Sequence, residues 1–224
     1  MPLTPLRAAR QRAGLSQQAA AARMGVSQPY YSQLEGGTRF LPEEVASLAV
    51  DKLGASPSVL PLPPLSIAWP TVSPERLTSA LAALGYPPFG HLRKAARPIN
   101  PALVVAGALA HADLDVRLVE SLPWALAAFA DLDVEWLAAQ CRLLNLQNRL
   151  GYLVALANEG ETRTPHLVRL GSQLEVARLA GEGTLCRDSM SRAERDWIRK
   201  NRSTTAEHWR LLTSLTREQL PYAS

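Results

Sequence analysis

Two helix-start signals with a glycine between them constrain the fold of this chain more than any other feature, and both lie within residues 14–39. Ser16 and Ser27 each precede a stretch that can form a helix. A serine hydroxyl at the N-cap accepts a hydrogen bond from a backbone N–H that has no partner inside the helix. Gly25 and the glycine pair 36–37 are the expected helix ends, because glycine adopts the left-handed C-cap conformation without steric cost. The pattern predicts a helix, a tight turn and a second helix.

The second predicted helix has one apolar side and one polar side. The apolar positions recur at helical spacing and are expected to pack against the preceding helix: Val26, Tyr31 and Leu34. The opposite side carries amides and hydroxyls without an acidic group: Gln28, Tyr30, Ser32 and Gln33. Such groups both donate and accept hydrogen bonds, and a glutamine can bond an adenine edge at two points in the major groove of DNA. An exposed polar face is also typical of a helix that is merely solvated, so the face alone leaves both interpretations open.

Residues 3–60 resemble the helix-turn-helix domain of the phage repressor and Cro family, also called the XRE type. The resemblance rests on LRAARQRAGLSQ, on MGVSQPYYSQLEGG at its spacing, and on RFLPEEVASLAVDKLGAS. It implies that four side chains contact DNA bases: Gln28, Tyr30, Ser32 and Gln33. It also implies that four residues contact phosphates: Gln17, Ser27, Thr38 and Arg39. In such a domain, Gln17 at the start of its helix would present its side chain and nearby N–H groups to a phosphate.

The same resemblance implies a scaffold ion pair between Arg10 on the first helix and Glu35 late in the recognition helix. Two positions depart from the family pattern. A leucine is usual where this chain has Ala20, and Tyr31 is larger than the usual aliphatic residue. We expect the aromatic ring to fill the space that the alanine leaves.

Length and composition allow a second domain. At 224 residues, of which 47% are hydrophobic, the chain is long enough for two hydrophobic cores. The segment PLPPL at 61–65 disfavours a helix and favours an extended spacer. We therefore predict a helix-turn-helix DNA-binding domain over residues 1–60, a Pro-rich linker over 61–65, and a dimerisation, effector or partner-binding domain over 66–224.

The predicted fold class is all-α, with a five-helix lambda-repressor-like domain followed by a larger helical domain. Helices of the first domain are expected near residues 4–13, 16–24, 28–35 and 42–53, and a fifth short turn near 57–60 completes it. Beyond the linker, alanine and leucine dominate and alternating β-branched stretches are few, so strands are not expected.

Start signals mark the helices of the second domain. Ser73 and Asn100 each precede a proline, and the pentapeptide ADLDV occurs at 112–116 and again at 130–134, where its aspartates can cap helices. A third start is expected at 145–148, leading into the apolar stretch RLGYLVALA at the centre of the core.

Charge is unevenly distributed along the chain. The net charge is +4, yet residues 1–40 hold five arginines and one glutamate, which suits a surface facing nucleic acid. Residues 113–135 hold six carboxylates and one arginine, whereas 187–202 hold six basic and three acidic residues. Pairing of these two segments within one chain is favoured over pairing across a dimer or binding of separate partners. Added phosphate contacts from 187–202 are a further alternative.

No catalytic or metal-binding pattern is visible, so we expect no enzyme activity, metal or cofactor. The four histidines, His91, His111, His166 and His208, lack metal-ligand spacing. Cys141 and Cys186 have no CxxC spacing and are expected to be reduced thiols, with a redox sensor as the less favoured alternative. No secretory signal or membrane span is expected, which predicts a cytoplasmic protein.

The sequence therefore predicts a sequence-specific DNA-binding transcriptional regulator. We expect it to be a repressor that binds a two-fold symmetric operator as a homodimer, because one short helix reads too few base pairs alone. Its second domain would sense a small molecule or a partner protein. The alternative is an antitoxin whose helical domain neutralises a partner toxin while the first domain represses their shared operon.

Overall fold

The computed structural model describes residues 4–69, 72–95, 97–159 and 164–220, and within them the chain is mostly helical and has only two two-residue strands. The expected all-α class is thereby confirmed. The chain forms two compact units, of which the first ends at Pro63 and the second begins at Pro64. This boundary falls inside the segment 61–65 that was predicted to be a linker.

The first unit contains the predicted helix-turn-helix. Its elements are α1 (Pro5–Arg12), α2 (Gln17–Met24), α3 (Gln28–Glu35), α4 (Glu43–Leu53) and a 3-10 turn (Pro57–Val59). The fifth element, predicted as a short turn, is a single 3-10 turn that ends where the backbone becomes extended at Leu60.

Local cap chemistry sets the ends of α2 and α3. The Ser16 hydroxyl accepts from the Ala19 N–H at 3.1 Å, and the Ser27 hydroxyl accepts from the Tyr30 N–H at 3.4 Å. Gly25 ends α2 with a left-handed φ of 70°. At the end of α3 the left-handed residue is Gly37, also with a φ of 70°.

A small core joins the helices of the first unit. Tyr31 and Leu34 on α3 are buried in one cluster with Ala20, Ala21 and Met24 on α2, as the apolar spacing predicted. The Tyr31 side chain is fully buried in the cluster that also contains Ala20. Two of the three α2 side chains in this cluster are alanines, so the larger Tyr31 ring helps to fill the space between α2 and α3.

The second unit is larger and helical. Its α-helices are α5 (Pro74–Leu84), α6 (Pro101–Leu109), α7 (Val116–Ala128), α8 (Val134–Leu143), α9 (Gln147–Asn158), α10 (Pro165–Val176), α11 (Arg192–Asn201) and α12 (Thr204–His208). Shorter elements are 3-10 helices at Pro87–Ala95 and Arg217–Gln219 and the strands β1 (Gly183–Thr184) and β2 (Leu211–Leu212). The two strands pair in parallel, which the sequence did not predict because two residues are too few to show a strand pattern.

Aspartates of the ADLDV repeat cap two successive helices, as predicted. Asp115 accepts from the Arg117 N–H at 2.8 Å at the start of α7, and Asp133 accepts from the Trp136 N–H at 2.9 Å at the start of α8. The third expected start is also confirmed, since α9 begins at Gln147, but it has no side-chain cap. Asn145 adopts a φ of 56° between α8 and α9.

Helix α9 is the centre of the second core, as its apolar sequence predicted. It packs against α7, α8 and α10, and its buried residues include Leu150, Tyr152 and Leu153. Asn148 at its first turn exchanges hydrogen bonds with the backbone of Leu179. The helix is therefore fixed at its start by polar contacts and along its length by packing.

The basic segment 187–202 and the acidic segment 113–135 are neighbours, but their charges are not matched in the expected way. Asp113 accepts from the Ser189 N–H at 2.9 Å. The arginines of the basic segment instead form their described ion pairs with other acids: Arg199 and Arg202 with Glu182, Arg187 with Glu194, and Arg199 with Asp196. Local pairs satisfy these arginines because the acids lie on α11 itself or on the adjacent loop.

Candidate nucleic-acid interface

The outer side of α3 carries the four side chains predicted to contact bases. Gln28 and Gln33 are exposed, whereas Tyr30 and Ser32 are half-buried. Tyr30 also packs against the core of the first unit, so only part of its side chain is open to a ligand. The surface of α3 that can contact DNA therefore consists mainly of Gln28 and Gln33, which are separated in sequence by the half-buried Tyr30 and Ser32.

Glu35 at the end of α3 is the anchor of this helix. Its carboxylate is buried and accepts two hydrogen bonds from Arg10, at 2.9 Å from Nε and at 2.7 Å from Nη2. A second arginine, Arg7, lies 3.4 Å from the same oxygen. The structure thus brings Arg10 and Glu35 into direct contact and ties α3 to α1.

The electrostatics of this contact favour the ionised carboxylate. Burial alone would raise the pKa of Glu35, but the hydrogen bonds from Arg10 and Gln17 outweigh it and hold the pKa below its ordinary value. Burial raises the pKa of the neighbouring Tyr31 to about 12, so its phenol stays neutral. A charged Glu35 beside a neutral Tyr31 keeps α1 and α3 joined at physiological pH.

Gln17 connects the anchor to the exposed face. Its amide nitrogen donates to Glu35 Oε2 at 2.7 Å, and its amide oxygen accepts from Gln28 Nε2 at 3.2 Å. A glutamine side chain has two N–H donors and one oxygen. Gln28 therefore keeps its oxygen and one N–H for another partner, while its position is set by Gln17.

The predicted phosphate contacts surround α3. The Ser27 hydroxyl caps the helix, and the Thr38 hydroxyl donates to the Gln33 carbonyl at 3.1 Å. Arg39 is exposed, and its guanidinium carbon lies 4.7 Å from the centre of the Tyr30 ring. Gln17 remains half-buried at the start of α2, beside Gln28. The roles of these residues toward phosphates stay predictions.

Sequence reasoning missed two residues of the scaffold. Thr4 caps α1 and donates from its hydroxyl to the Glu35 carbonyl at 2.8 Å, and Arg7 adds its charge to the carboxylate. Arg7 precedes Arg10 by three residues, a spacing that places both on one face of α1. That spacing was a usable signal, whereas the contact from Thr4 depends on how the two helices cross.

Other kinds of site find no support within the described ranges. No group of three or more histidine, cysteine or acidic side chains there has a geometry that could hold a metal ion. In the same ranges, no helix is both long enough and apolar enough to cross a membrane. Cys141 and Cys186 are free thiols in the protein interior.

A short exposed helix that follows a tight turn and is braced by two others defines a helix-turn-helix domain, the class of domain that inserts its second helix into the major groove of DNA. Residues 5–62 match the model of a family described as a helix-turn-helix domain, which confirms the resemblance for the N-terminal part of the chain. The match does not extend into the second unit. Comparisons with curated proteins and with solved structures gave no match.

Proposed function

We propose that this protein is a sequence-specific transcriptional regulator that represses its target genes by binding DNA as a homodimer. The observation that carries the proposal is the outer face of α3, where two exposed glutamines stand on a helix that Arg10, Gln17 and the core hold in place. Amide side chains in this position suit base edges, and a rigid scaffold preserves their register.

Dimerisation is proposed on the grounds of reading length. A single recognition helix contacts only a few base pairs, and specific affinity in this class is reached by two helices that bind half-sites about 34 Å apart. The second unit is large enough to provide both the dimer interface and the binding of a signal. We take it to be a sensory domain without catalytic activity, in a protein that acts in the cytoplasm.

Selection of bound duplexes from a random pool tests this proposal. We expect enrichment of an inverted repeat whose half-sites lie on one face of the duplex, with two chains bound per site by mass photometry. Enrichment of a single unrepeated half-site with one chain bound would contradict the homodimer. The absence of any enriched sequence at moderate salt would contradict sequence-specific binding altogether.

A further inference from the structure

A groove of about 780 Å³ lies in the second unit between α9, α10 and α12. Its floor is apolar and includes Val154, Leu167, Val168 and the edge of Trp209. This volume falls within the range of small-molecule sites, which are mostly apolar with a few placed polar groups. The floor accordingly suits the apolar body of an organic ligand.

One end of the groove is formed by the last turn of α9 and is electronegative for three separate reasons. Helix α9 ends at Asn158, so its terminal carbonyls and the negative end of its dipole lie there. The side-chain oxygen of Asn158 is buried and has no hydrogen-bond partner among the described residues. The carboxylate of Glu159, which accepts from the Thr205 hydroxyl at 3.1 Å, lines the same end.

The other ionisable side chains described around the groove do not make its α9 end electropositive. Among the described lining residues, the others that ionise are Glu175 and His208, which contact one another at 2.8 Å. Arg178 lies 3.7 Å from Glu175 and donates to the His208 carbonyl at 2.7 Å, so it neutralises part of that cluster. The carboxylate of Glu159 has no basic side chain among its described ion pairs. A positive group is therefore favoured at the α9 end.

We propose that this groove binds a small organic cation, with an ammonium or amidinium group at the α9 end and an apolar body along α10. The positive group would pair with the exposed carboxylate of Glu159, beside the negative end of the α9 dipole. The apolar body would cover Val154 and Val168. The groove lies in the second unit, so the assignment does not depend on DNA recognition by the first unit. It can be tested in the absence of DNA.

Three probes with one apolar body and different charges test the proposal on the full chain: 4-phenylbutylamine, 4-phenylbutanol and 4-phenylbutyrate. Binding is measured by calorimetry and by ligand-observed NMR in the millimolar range. We expect the amine to bind about tenfold or more tightly than the carboxylate, with the alcohol between them. Equal affinities for the three probes, or no binding of the amine, would overturn the proposal.

Two variants and a control locate the site. Glu159→Gln is expected to weaken amine binding about three- to tenfold while leaving the alcohol unchanged, because Glu159 is exposed and its charge is screened. Ser172→Trp, on the exposed side of α10, is expected to weaken all three probes by filling the groove. Glu207→Gln removes the same charge from α12 at a position outside the groove lining and should leave all three affinities unchanged. A loss in Glu207→Gln equal to that in Glu159→Gln would show a general charge effect and overturn the assignment.

Discussion

The guanidinium of Arg39 lies over the ring of Tyr30, with 4.7 Å between the guanidinium carbon and the ring centre. These two residues were predicted to have different roles, one toward a phosphate and one toward a base. The stacking joins them, because a cation over an aromatic face is held by the ring quadrupole. If α3 binds DNA as proposed, Tyr30 would act through Arg39 as well as through its own hydroxyl.

Substitutions at Tyr30 separate these two roles. If the ring positions Arg39, Tyr30→Phe should bind operator and random DNA like the wild type, whereas Tyr30→Ala should weaken both. Arg39→Ala should also weaken both alike and lower the slope of log K against log salt by about one unit, as for the loss of one phosphate contact. Fluorescence anisotropy over a salt series measures these effects. A selective loss on the operator in Tyr30→Phe would instead assign the hydroxyl to a base, and an unchanged slope in Arg39→Ala would remove Arg39 from the phosphate contacts.

Replacing the anchor should loosen the first unit without affecting the second. Glu35→Gln leaves Arg10 and Arg7 facing a neutral group, and loss of one partner of a buried pair costs about 3 kcal/mol of unfolding free energy. Circular dichroism during urea unfolding reports both units. Tryptophan fluorescence reports only the second, because all five tryptophans lie beyond residue 64. The fluorescence midpoint should not move, and a shift of both signals together would contradict a local role.

The effect of Glu35→Gln on the unfolding free energy should depend on pH. The pKa of Glu35 is lowered in the folded state, so its contribution to stability is complete above the ordinary value of 4.5 and is lost as the pH falls through the lower folded value. The difference in stability between wild type and Glu35→Gln should therefore be largest near neutral pH and shrink in acid. A difference that grows in acid would contradict the assigned direction of the pKa shift.

Two helical glycines of the second unit should respond in opposite ways to alanine. A Cβ at Gly151 would lie within 2.6 Å of Trp209 Cε3, so Gly151→Ala should cost about 1–3 kcal/mol through overpacking. At Gly171 the nearest atom is 3.5 Å away, so Gly171→Ala should be neutral or stabilise by up to about 1 kcal/mol. Urea unfolding followed by tryptophan fluorescence measures both. Equal effects would show that Trp209 moves aside without cost.

Both cysteines should be unreactive in the folded protein. Burial raises the pKa of Cys141 to about 12 and that of Cys186 to about 11, so neither forms the thiolate that reacts near neutral pH. We expect no rapid labelling by a disulfide reagent at pH 8 in buffer, and labelling of both thiols in denaturant. Rapid labelling of either thiol in the native protein would support the redox-sensor alternative.

Features that depend only on residues close together in sequence, such as helix caps, were predicted best. Caps at Ser16, Ser27, Asp115 and Asp133 were predicted because an N-cap needs only a suitable side chain two or three residues before its N–H partner. The helix start at 145–148 was predicted as well, but the left-handed conformation of Asn145 was not, because asparagine is common both at caps and in left-handed positions.

Contacts between distant residues were harder to predict. The link from Glu35 through Gln17 to Gln28 requires three side chains from two helices to point at one another, which spacing along the chain does not specify. The pairing of residues 183–184 with 211–212 is likewise set by the packing of α9, α11 and α12 around it. The groove beside α9 arises from the same packing, so no sequence motif predicted it.

Substitution of Gln28 and Gln33 tests most directly whether the exposed amides of α3 recognise base pairs. Each alanine variant should lose about 1–3 kcal/mol of binding free energy on the selected operator and almost nothing on random DNA, because base contacts carry specificity and phosphate contacts do not. Gln11→Ala, an exposed glutamine on α1, is the matched control and should change neither affinity. Equal losses on operator and random DNA, or no loss on the operator, would contradict base recognition by this helix.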